Sequence, residues 1–162
     1  MQGRKNTPFV ITLLMALLGI TLFTQSPQLQ GAHLMSACSA KLACHFFHAS
    51  LFHWFCNALA LWLMRPSPTD ILRAYPLAVV SMFCTTTPTI GFSAVIYSYL
   101  GLNIIRWNVS LVDWGTFLAA NAITLFIPGV ATGVHAAAFL LGLACYTAIC
   151  LIHKHVLTID SE

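Results

Sequence analysis

Charge is what this chain has least of. Asp, Glu, Lys and Arg make up 7% of its 162 residues, against 59% that are hydrophobic. So little charge excludes an ordinary water-exposed domain and predicts an integral membrane protein built from α-helices. The formal net charge of +3 is too small and too scattered to attract nucleic acid. Carboxylates number four, Asp70, Asp113, Asp160 and Glu162, which leaves few partners for a charged relay. No Cys-x-x-Cys spacing occurs among the six cysteines, so no zinc or dithiol redox motif is encoded. Cys56, Cys84, Cys145 and Cys150 fall in apolar runs and read as small hydrophobes. Cys38 and Cys44 share one loop and would be able to pair if that loop were oxidised. Repeats and low-complexity segments are absent, and one domain over 1–162 is the default at this length.

What is present is a succession of apolar runs separated by polar punctuation. Helices are expected at about 8–24, 45–64, 71–84, 93–105, 114–127 and 133–152, giving an all-α polytopic bundle of six transmembrane helices. The first run, after Arg4 and Lys5, reads as a retained helix, with a signal peptide as the competing reading. With the N-terminus in the cytoplasm, the inner segments carry Arg4, Lys5, Arg65, Arg73, Arg106 and Lys154, and the outer loops only Lys41. That is six against one, a positive-inside pattern placing both termini in the cytoplasm.

This topology brings unusual polar residues to one side. The second run carries His45, His48, His53 and Asn57, the fourth opens on Ser93, and the sixth carries His135 just past Gly133. Each enters from the outer side. Histidine within a membrane is costly and marks a functional candidate, although interhelical hydrogen bonding is the plainer account. His53 and Asn57, four apart, share a helix face, whereas His48 is rotated from it and is suited to holding the first loop. His45, near the boundary, reads as an interfacial anchor. Gly91-Phe92-Ser93 resembles a turn that exposes a nucleophile at a helix start, although small residues there also serve packing. A hydroxyl nucleophile needs a base and donors for the developing oxyanion. All four carboxylates fall in cytoplasmic segments, so a hydrolase here would use Ser93 and His135 as a dyad, with Tyr97 stacked on the His135 ring.

At these residues the chain resembles a rhomboid intramembrane serine protease. The match is His48-x4-His53-x3-Asn57, then Gly91-Phe92-Ser93 with Tyr97 and Gly101, then His135 and Gly142, over nearly the whole chain. The resemblance implies Ser93 as nucleophile and His135 as general base. It implies an oxyanion site from His53, Asn57 and the Ser93 backbone N–H, with Tyr97, His48 and Gly91 in support. Ala94 and Ala138 depart from it, since glycine is common at both places in the family. A Trp-Arg pair of the first loop in many bacterial members is also missing.

The expected function is therefore an intramembrane serine endopeptidase, without cofactor or metal. Its expected partners are transmembrane protein substrates and the lipid bilayer, and nucleic acid is not among them. Its expected location is the bacterial inner membrane, with the active site opening to the outer side. Two other readings stand beside it. One is an inactive rhomboid-like protein that binds transmembrane helices. The other is a small transporter or metal-binding membrane protein using His45, His48 and His53, whose spacings of three and five suit shared coordination poorly.

Overall fold

Residues 6–24, 42, 44–48, 50–84, 90–107, 115 and 132–159 are described by the structure, a computed structural model, and every regular element among them is helical. Helix α1 spans Thr7–Thr24, α2 Leu51–Met64, α3 Pro68–Ser81, α4 Ser93–Asn103 and α5 Thr132–Ile159. Two short 3-10 segments, Cys44–Phe46 and Met82–Cys84, precede α2 and follow α3.

Local chemistry fixes most of these ends. Ser50 caps α2 by accepting a hydrogen bond from the His53 N–H, and Arg65 ends it in the left-handed region at φ 47°. Ser67 and Asp70 form a reciprocal capping box at the start of α3, with Pro68 in the first turn, where a missing N–H costs nothing. Helix α4 differs: its preceding residue is Phe92, and no side chain caps it.

The helices pack densely around Leu17, Leu61, Ala74, Ala78, Phe92, Val95 and Ala138. The closest pair is α4 against α5, and α3 packs on both, while α1 lies chiefly on α2. Gly101 and Gly142 set the α4–α5 crossing. A Cβ on Gly101 would stand 2.1 Å from the Phe139 carbonyl oxygen, and one on Gly142 would stand 2.4 Å from that of Ser98. Backbone therefore meets backbone, which only glycine allows. Ser93 and His135 meet at the opening turns of the same two helices, so α4 and α5 run parallel.

Several expectations are corrected here. Six membrane-crossing helices are expected from the sequence, but the described residues form a five-helix all-α bundle. Within it only Thr132–Lys154 is long and apolar enough to cross a membrane, by length and composition. Helices α2 and α3 have 14 residues each and α4 has 11, so at ~1.5 Å per residue they fall well short of a ~30 Å hydrocarbon layer. The expected fifth span, 114–127, lies outside the described residues apart from Gly115. The polytopic placement, the bilayer as partner, transmembrane substrates and a home in the bacterial inner membrane all derived from six spans, and they fall with them. The apolar composition is expressed instead on short helices, with Phe52, Leu63 and Leu72 left exposed. Cys44 is buried and forms no disulfide among the described residues, and Cys38 lies outside them.

Candidate functional site

Gly91 adopts φ +126°, a conformation that strains any residue with a side chain. A Cβ there would also lie 2.5 Å from Cε1 of His53, so the turn before α4 is pressed against α2. The chain then enters α4 with Ser93 as its first residue. From the parallel helix α5, His135 Nε2 comes to 2.8 Å from Ser93 Oγ, an ordinary hydrogen-bond distance. One turn along α4, Tyr97 lies flat against the His135 imidazole, with ring centroids 4.5 Å apart and planes 6° from parallel.

The other face of His135 chemistry is what it lacks. Its Nδ1 is buried and has no hydrogen-bond partner among the described residues. Asp70, the one carboxylate among the described residues, is engaged by Ser67 in the α3 capping box. The ring is thus held by stacking on Tyr97 and by the Ser93 hydroxyl. Burial, with a smaller contribution from nearby His53, lowers the His135 pKa from 6.5 to about 4. The imidazole is therefore neutral at pH 7, and Nε2 is able to accept the Ser93 proton. Tyr97→Phe is expected to leave Ser93 reactivity unchanged, because stacking needs no hydroxyl. Tyr97→Ala is expected to reduce it by about tenfold or more, since the His135 imidazole loses its orientation. Rates of Ser93 modification in the two variants check this.

The remaining sequence-selected residues lie on or beside α2. The His53 ring faces Gly91 and meets His48 edge-on at 5.2 Å between centroids. Asn57 lies one turn further along α2, 6% exposed, and its Nδ2 has no hydrogen-bond partner among the described residues. His48 is buried, and its Nδ1 lies 3.2 Å from Thr21 Oγ1 on α1. Burial, then the nearby His53, lowers the His48 pKa to about 4. Ala94 and Ala138 are both buried, Ala94 in the first turn of α4.

Three features escape a reading of the sequence alone. Thr21 is one, since a hydroxyl in an apolar run gives no sign of a partner 27 residues away. His45 is another: it is 1% exposed and packed edge-on against Tyr75, which corrects its assignment as an interfacial anchor. The third is the uncapped start of α4, whose sequence signal is the Phe at 92 where Ser, Thr, Asp or Asn is usual. His45, His48 and His53 point to different neighbours, and no group of three or more metal-ligating side chains gathers among the described residues.

The chain matches no protein-family model and no curated protein. The rhomboid resemblance thus has neither a family match nor a six-span architecture behind it. The assignment is withdrawn, and with it the intramembrane serine endopeptidase and its inactive counterpart, both of which presuppose that architecture.

Proposed function

We propose that Ser93 is an activated nucleophile in an acyl-transfer site, with His135 as its base. The observation that carries the proposal is the 2.8 Å contact between Ser93 Oγ and His135 Nε2, with the base neutral and stacked on Tyr97. In the reaction, Ser93 Oγ bonds to the carbonyl carbon of an ester-like substrate as its proton passes to Nε2. The carbonyl electrons move to oxygen. When the tetrahedral species collapses, the leaving group departs with the proton from Nε2, and the acyl group remains on Ser93. Water, deprotonated by the same nitrogen, then releases the acid.

The developing oxyanion has donors at hand. Ser93 N–H belongs to the first turn of α4, whose N–H groups have no acceptor within the helix and meet no side-chain cap. The opening turn of α5 lies beside it, so the positive ends of two helix dipoles face the same place. His53 and Asn57 supply the side-chain donors in this proposal, and Gly91 and His48 hold the turn and the His53 ring. Asn57→Ala is expected to lower turnover of a small activated ester by about 10²–10³-fold with little change in KM, because the bond strengthens as charge develops. A mutant with unchanged turnover and raised KM would make Asn57 a binding residue instead.

The test of the proposal is covalent. A fluorophosphonate should attach to Ser93 with loss of fluoride, and peptide mass spectrometry should locate the adduct there. Ser93→Ala should abolish labelling. If the natural chain is inert, the Ser93–His135 bond serves only to pin α4 to α5.

A further inference from the structure

One hydroxyl ties helix α1 to the donor side of the site. Thr21 is fully buried on α1, and its Oγ1 lies 2.7 Å from the Leu17 carbonyl oxygen one turn back. A carbonyl only accepts, so the hydroxyl gives its single proton there. The second contact of Oγ1, 3.2 Å to His48 Nδ1, must then run the other way, with the ring donating and the hydroxyl accepting. Burial, then the nearby His53, lowers the His48 pKa to about 4, so the ring is neutral at pH 7 and holds one proton. That proton is on Nδ1. Thr21 thus selects both the tautomer and the orientation of the His48 ring.

His48 stands two residues ahead of Ser50, the α2 cap, whose side chain accepts the His53 N–H. The cap fixes the His53 backbone, and two neighbours fix its ring. One is the His48 ring, edge-on at 5.2 Å between centroids. The other is the nucleophile turn. A Cβ on Gly91 would stand 2.5 Å from His53 Cε1 and 2.7 Å from Nε2, so the ring edge carrying Nε2 lies against it. Two residues later the chain reaches Ser93. We propose that Thr21 is a positioning residue for His53: through the His48 ring it holds the imidazole whose Nε2 edge serves the oxyanion at Ser93. The inference rests on the reading of Ser93 as nucleophile and His53 as oxyanion donor. Thr21 itself touches no reacting atom.

Two variants separate the hydrogen bond from mere packing. Valine matches threonine in shape and lacks the acceptor, whereas serine keeps it. The measured quantities are kcat and KM for a small activated ester. Thr21→Val should lower kcat by about tenfold at unchanged KM, because a displaced donor is felt mainly as charge develops, and Thr21→Ser should stay within about threefold of the natural chain. A serine variant as slow as the valine variant, or a valine variant as fast as the natural chain, overturns the proposal. The His53→Ala background tells action through His53 from a general loosening of α1. There Thr21→Val should add less than about twofold, since the donor it positions is gone, and a further tenfold loss overturns the proposal. Nitrogen-15 spectra of the natural chain give a readout that no misfolded variant can spoil. His48 should carry its proton on Nδ1, and a proton on Nε2 overturns the proposal even if a variant fails to fold. Ester turnover that persists in Ser93→Ala is a different failure: it removes the nucleophile reading, and this proposal with it, while the His48 tautomer stays as it is.

Discussion

In the His135→Ala variant, Ser93 is expected to react with a fluorophosphonate about 10²–10⁴ times more slowly than in the natural chain, the usual contribution of a positioned general base. The pH dependence of the natural chain carries the same claim further. Only neutral imidazole accepts a proton. A histidine with its ordinary pKa of 6.5 is mostly protonated at pH 5.5, whereas burial holds His135 neutral down to about 4. The rate should therefore be level between about pH 6 and 8 and decline only as pH falls toward 4. A decline centred near 6.5 would show a solvated ring and remove His135 as the buried base. Stability moves in the same direction. The folded-state pKa is depressed, so the stabilising effect is complete above 6.5 and is lost as pH falls toward 4, because the unfolded chain takes up the proton first. Circular dichroism at each pH separates lost fold from lost reactivity.

The second large effect is expected at the α4–α5 crossing. Gly→Ala within a helix ordinarily stabilises by about 0.5–1 kcal/mol, through helix propensity and a less flexible unfolded chain. At Gly19, where a Cβ meets nothing within 4 Å, Gly19→Ala should show that gain. At Gly101 the same methyl would stand 2.1 Å from the Phe139 carbonyl oxygen and 2.9 Å from the Leu143 nitrogen. These are backbone atoms and cannot rotate aside. The helices must separate, and overpacking of this kind costs about 1–3 kcal/mol or more, which outweighs the propensity gain. Gly101→Ala should thus lower Tm by several degrees, at about 2–4 °C per kcal/mol for a chain of this size. Ser93 labelling should fall by about 10²-fold or more. A Gly101→Ala chain with unchanged Tm and labelling would show that the crossing does not set the site.

How much of this was legible beforehand differs from residue to residue. Gly91 was readable as a turn and Ser93 as a helix start, because a glycine next to an apolar run is a local signal. The pairing of Ser93 with His135 is another matter. From sequence it rested on a topology of six bilayer spans, which the described residues do not carry. Its physical cause is the parallel packing of α4 and α5 at two glycines, which hydropathy does not register. Composition misled about span length for a related reason. A run of apolar residues says that a segment avoids water, but Arg65 in the left-handed region and the Ser67 cap cut the runs into helices of 14 residues. His45 and Thr21 were opaque because their neighbours, Tyr75 and His48, are distant in sequence.

The glycine crossing also works as the pivot of a pair of scissors. Ser93 stands eight residues before Gly101 and His135 seven before Gly142, so the two blades extend ~12 Å and ~10.5 Å from the pivot to the reacting atoms. Opening the blades by about 5° would part their tips by roughly 1 Å, enough to change a proton transfer by about 10²-fold. In the proposed reaction, the crossing angle of α4 and α5 then acts as a throttle on Ser93.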